Sequence, residues 1–69
     1  MDYQKVANKL IECRKSKGLT QEEVAKQIGI TRSAVENYET ARRIPRDEIK
    51  VRIASFYDTS VSSLFFTEE

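Results

Sequence analysis

The chain has no histidine and no tryptophan among its 69 residues, and only one cysteine, one proline and two glycines. Each shortage removes a class of protein. Without histidine the commonest general base is missing. The remaining Ser, Thr, Lys and acidic residues form no nucleophile–base or metal constellation, so the chain does not read as an enzyme. The single Cys13 rules out an intrachain disulfide framework and fits a reducing, cytoplasmic setting. With no histidine beside it, it falls short of the four ligands of a zinc site. Neither a metal nor a cofactor is implied, and Cys13 itself reads as a small half-buried hydrophobe. No apolar run approaches the roughly 18 residues of a membrane span, and no signal-peptide pattern opens the chain. Strand-like alternation is missing too, which leaves an all-α, helix-rich domain.

The length fits one domain over residues 1–69, with no room for a separate effector-binding or catalytic domain. At 39% hydrophobic residues the core is thin, and folds of this size are marginal unless their helices pack well or chains associate. The net charge is +1, but it is unevenly spread. Residues 1–18 balance at +3 through Lys5, Lys9, Arg14, Lys15 and Lys17, and residues 40–52 reach +3 again through Arg42, Arg43, Arg46, Lys50 and Arg52. The final stretch, 53–69, stands at −3. Two basic segments on a near-neutral chain are enough for a local phosphate-binding face, although solvated helix faces produce similar clusters.

Helical periodicity organises almost the whole chain. Asp2 is placed to cap a first helix whose apolar set is Tyr3, Val6, Ala7, Leu10 and Ile11, one stripe at 3.6-residue spacing. Gly18 ends it, preceded by Lys15 and Lys17, which suit the negative end of the helix dipole. Thr20 and Glu23 form a capping box that starts a second helix through Val24, Ala25 and Ile28 as far as Gly29. Thr31 caps a third helix with Val35 and Tyr38 inward. Arg42 to Pro45 reads as a loop, because proline disfavours helix at Ile44. A fourth helix from about Arg46 turns Ile49, Ile53, Ala54, Phe56 and Tyr57 inward and leaves Val51 off that face. Ser60 caps a short fifth with Val61, Leu64 and Phe65.

The spacing within residues 21–40 carries the functional information. Two helices crossing through a short turn need a small residue at the crossing, here Ala25, and one tolerant of a left-handed backbone at the turn, here Gly29. Val24, Ile28, Ile30, Val35 and Tyr38 are the apolar anchors. The opposite face of the third helix is then free, and it carries Arg32, Ser33, Glu36, Asn37 and Thr40, all polar.

These residues resemble the Cro and repressor family of helix-turn-helix regulators, also called the xenobiotic-response-element family. The likeness runs from Gly18-Leu19-Thr20-Gln21-Glu22-Glu23-Val24-Ala25 through Ile28-Gly29-Ile30-Thr31, Val35, Asn37-Tyr38-Glu39, Pro45 and Ile53-Ala54 to Val61–Phe65. It covers about residues 6–66. The resemblance implies a lambda-repressor-like bundle of five short helices that binds double-stranded DNA, with the helix from about Thr31 to Glu39 in the major groove. Arg32, Ser33, Glu36 and Asn37 would then face base edges: Arg32 suits guanine or a phosphate, Asn37 matches adenine, and Glu36 accepts from cytosine. Gln21 looks like the family's phosphate-contacting glutamine. Thr31 and Tyr38 are suited to donate to phosphate, with Thr31 equally a cap and Tyr38 equally core. Arg42, Arg43 and Arg46 would grip the backbone, setting register rather than sequence. Arg14 and Glu39 match a structural ion pair of the family that ties the first helix to the end of the third.

Two departures stand out. Many relatives carry glycine after the Tyr-Glu pair, where Thr40-Ala41 stands here, and alanine tolerates a left-handed backbone poorly. A different loop path is therefore expected, with a changed aim for Arg42 and Arg43. Arg46 also replaces a Ser-type cap, so the fourth helix should fray or borrow one. By the same resemblance the regulator is a small repressor that occupies its operator as a homodimer, through Val61, Leu64 and Phe66. The competing reading is a protein-interaction module of the same fold, an anti-repressor or antitoxin component.

Overall fold

Four of the five helix starts are written into single side chains. The computed structural model describes residues 2–66, and these form α1 (Tyr3–Ser16), α2 (Gln21–Ile28), α3 (Arg32–Glu39), α4 (Asp47–Phe56) and α5 (Val61–Phe65), with no strand among the described residues. Asp2 Oδ1 accepts from the amides of Gln4 and Lys5 at 3.0 and 3.2 Å. The Thr20 hydroxyl accepts from the Glu23 amide at 3.1 Å while the Glu23 carboxylate accepts from the Thr20 amide at 2.9 Å, the reciprocal capping box. Thr31 and Ser60 accept from Ala34 and Ser63 in the same way, each at 3.0 Å. At α4 Arg46 takes the cap position without any side-chain cap bond, and only Asp47 and Glu48 in the first turn favour the helix end.

The ends are set by residues with positive φ. Gly18 at φ 70° closes α1, and Gly29 at φ 88° closes α2 while its amide donates to the Ala25 carbonyl at 2.8 Å. Arg52 adds a cation at the same point, its Nη1 donating to the Ile28 carbonyl at 3.2 Å. After α3 the turn is made without glycine. Ala41 takes the left-handed position itself, at φ 63°, and the Asn37 carbonyl accepts from the amides of both Arg42 and Arg43 at 3.0 and 3.2 Å. The two backbone bonds hold the turn against the steric cost that alanine carries there. Asp58, at φ 55°, makes the corresponding turn after α4.

Val6, Leu10, Val24, Ala25, Ile28, Val35, Ile49, Ile53, Ala54, Leu64 and Phe65 form the buried core. α3 packs against both α1 and α2, α4 against α2 and α5, and α5 returns to α1. Ala25 is buried where α2 meets its neighbours, and Val51 is exposed off the apolar face of α4. Two sequence expectations need correction. Tyr3 is 47% exposed rather than part of the stripe, because packing on α1 begins a turn later, at Val6 and Ala7. Leu64 is 3% exposed and belongs to the core beside Phe65, so it is not available for a contact between chains. A five-residue helix makes little more than one turn, and here consecutive Leu64 and Phe65 both face inward. Val61 is half-buried against the same core, and only Phe66, at 54% exposed, stands outside it.

Candidate nucleic-acid interface

Folding commits about half of the cations to the protein itself. Lys9 Nζ donates to the Ser63 carbonyl at 2.8 Å, and Lys17 sits 5.1 Å from the centre of the Phe56 ring. Lys50 is buried, 3.6 Å from Asp47 and within 5.4 Å of the Phe66 ring centre. Arg14 is bound to Glu39 and Arg52 to the end of α2. The first basic segment is thus largely tied to neighbouring elements, and the second is divided. Arg42, Arg43 and Arg46 remain exposed and, among the described residues, have no side-chain hydrogen bond or ion pair; Arg32 at the start of α3 is in the same condition. These four flank α3 along the sequence, one at its first residue and three in the segment after its end.

Between them lies the solvent face of α3. Arg32, Ser33, Glu36 and Thr40 are exposed and Asn37 is half-buried, while Val35 and Glu39 are buried and Tyr38 packs against the core. The helix therefore divides by its own period, with 33, 36, 37 and 40 forming one polar stripe. The side chains of Ser33, Glu36 and Asn37 have no partner among the described residues. An unengaged amide on an exposed helix face has both its donor and its acceptor available to a base edge. Thr31 accepts its cap bond through the hydroxyl oxygen, which leaves the hydroxyl proton free to donate.

The Arg14–Glu39 pair anchors this face to α1. Arg14 Nε lies 2.9 Å from Glu39 Oε2, Nη2 donates to Oε1 at 3.1 Å, and Nη1 donates to the Leu19 carbonyl at 2.9 Å. Hydrogen bonding to Glu39 raises the Arg14 pKa above its ordinary value. The side chains are 16% and 4% exposed, so the pair is largely removed from water. Burial, then the Glu39 charge, also pushes the Tyr57 hydroxyl above the normal tyrosine range. Gln21 joins the same carboxylate: its Nε2 donates to Glu39 Oε1 at 3.1 Å. That bond, and the one from Arg52 to Ile28, join residues 18 and 24 positions apart and leave no periodic signal in the sequence. An open hollow in front of the start of α2 is lined by Arg14, Gly18–Glu22 and Arg32. Among the described residues no group of His, Cys, Asp and Glu is arranged to hold a metal ion, and no helix is long and apolar enough to cross a membrane.

Two crossed helices joined by a short turn, the second with a polar exposed face and unpartnered arginines at both ends, form a helix-turn-helix. The chain belongs to the helix-turn-helix family, in its Cro/repressor type, and residues 10–64 match it. It is similar to YqaE, an uncharacterized HTH-type transcriptional regulator of Bacillus subtilis, at 40% identity over 55 residues. BcrR, an HTH-type transcriptional activator of Enterococcus faecalis, is 33% identical over 61 residues, and MJ0272, an uncharacterized regulator of Methanocaldococcus jannaschii, 31% over 62. These matches cover 80, 88 and 90% of the chain. The chain spans 47% of YqaE and 30% of BcrR, but 94% of MJ0272. No solved structure matches it at comparable significance.

Proposed function

We propose that this chain is a sequence-specific, double-stranded-DNA-binding transcriptional regulator that reads the major groove with α3. The carrying observation is the clustering of free arginines: Lys9, Arg14, Lys17, Lys50 and Arg52 are held by the protein and Lys15 and Lys26 are exposed elsewhere, whereas Arg32, Arg42, Arg43 and Arg46 are exposed and unpartnered at the two ends of α3. Ser33, Glu36 and Asn37 read base edges. Arg32 takes guanine or a phosphate, and the other three arginines, with Gln21, Thr31 and Tyr38, take phosphates. Repression is the simplest output, because an occupied operator excludes other proteins without any further contact surface. The regulator acts as a homodimer, with Phe66 and the edge of Val61 rather than Leu64 at the contact.

Selection from a random duplex pool tests the reading, followed by titration of the enriched site across salt concentrations. An enriched, two-fold-symmetric site whose base preference relaxes at one position in Asn37→Ala is the expected result. Each arginine on a phosphate contributes about 0.9 to the slope of log affinity against log salt, so Arg43→Ala should flatten it by about that amount per half-site. Binding that is salt-sensitive but sequence-blind would overturn the reading role of α3. No binding at all would favour the protein-interaction module, an anti-repressor or antitoxin component of the same fold.

A further inference from the structure

We propose that Glu39 is a positioning residue for DNA binding: it fixes the Gln21 amide so that the start of α2 meets a phosphate already ordered. This rests on the reading of Gln21 as a phosphate contact and goes beyond it by assigning the group that aims it. A carboxylate only accepts hydrogen bonds, so Glu39 Oε1, 3.1 Å from Gln21 Nε2, admits the amide in one orientation alone. The nitrogen faces inward and its second proton is left for a ligand outside. An amide free to flip would present its carbonyl to the phosphate half of the time, oxygen against oxygen.

Three features make the carboxylate suited to this task. Its charge is matched by Arg14, which donates to Oε1 and Oε2, so a buried anion steers Gln21 without presenting net negative charge to DNA. The third Arg14 nitrogen holds the Leu19 carbonyl, and Thr20 with Glu23 fixes the next turn of chain, so the backbone that carries Gln21 is tied on both sides of the carboxylate. The hollow in front of Gln21 is shared with Arg32, a cation with no partner of its own among the described residues. A phosphate seated there would meet the aimed amide and a free guanidinium together, with Glu22 also on the lining. Glu39 itself is buried, so its effect travels through Gln21.

The test combines a free-protein measurement with a double-mutant cycle. In the free wild-type chain, side-chain 15N relaxation of Gln21 should give an order parameter near that of rigid backbone, about 0.85; a value below about 0.6, the flexible range, would overturn the positioning role without requiring any variant to fold. On the DNA side, affinity for the enriched duplex is measured for Gln21→Ala in the wild-type and in the Glu39→Gln background, at a temperature where circular dichroism shows both fully folded. A hydrogen bond to a charged group corresponds to roughly a tenfold affinity change or more, so Gln21→Ala should weaken binding about tenfold in the wild type and less than about twofold beside Glu39→Gln. Equal losses in both backgrounds would overturn the proposal and leave the phosphate contact standing. No loss in either would overturn the phosphate contact itself, and the positioning role with it.

Discussion

Ala41 is the residue at which this chain pays most visibly for its sequence. A left-handed backbone costs a non-glycine residue roughly 1–2 kcal/mol, and Ala41 holds φ 63° because Arg42 and Arg43 both donate to the Asn37 carbonyl. Ala41→Gly removes the steric term and adds about 0.5–1 kcal/mol of unfolded-chain entropy. The net expectation is a gain of about 0.5–1 kcal/mol, and for a domain of this size each kcal/mol raises Tm by roughly 4–8 °C. Thermal or urea unfolding followed by circular dichroism checks it, and a loss of stability would show that the turn is not strained. The same residue marks the limit of sequence reading. Its sequence neighbours identify a turn, but alanine argues against a left-handed one, and two backbone bonds overrule that preference. Side chains with purely local roles, such as Asp2, Thr20, Thr31 and Ser60, were legible because the cap and its partner lie within three residues. Gln21 on Glu39 and Arg52 on Ile28 were not, because only the finished packing brings them together.

Among the elements, α4 is the one whose start lacks a side-chain cap bond, and the proposed phosphate contact gives the residue at that position a different role. Serine at this position would accept from the first-turn amides, a contribution of about 1 kcal/mol in comparable helices. Arg46 makes no such bond and stands exposed instead. Arg46→Ser should therefore stabilise the free protein by about 1 kcal/mol and weaken DNA binding, with the salt slope reduced by about 0.9 per half-site. Opposite signs in the two assays would identify a position held for phosphate at the expense of the helix. Unchanged binding in the variant would remove Arg46 from the interface. At this scale the sequence was a good guide: all five helices lie close to where periodicity and caps predict them, since each amphipathic face matches its own burial. It failed at α5, where five residues give too little period to separate a core leucine from a surface one.

For the whole molecule, size decides how it can read DNA. The Cα positions of this domain extend 31 Å along its longest axis, while successive major-groove openings on one side of the duplex lie about 34–36 Å apart. If α3 is the reading helix, as proposed, it addresses a single opening, and a symmetric site of two half-sites would be filled by two copies. Of the apolar residues, Tyr3 and Val51 are exposed on helices elsewhere in the fold, whereas Phe66 follows α5, with the buried Lys50 ammonium 5.4 Å from its ring centre. Phe66 is 54% exposed, which suits a contact made twice across a two-fold axis. Phe66→Ser should leave the helical content intact, because the core below is closed by Leu64 and Phe65. It should lower the cooperativity of binding to a symmetric two-half-site duplex and leave affinity for an isolated half-site unchanged. Sedimentation on and off DNA, together with footprint titrations of both duplexes, separates the effects. Equal weakening on the two duplexes would assign Phe66 to the fold or to DNA, and the second copy would then have to meet the first through another face.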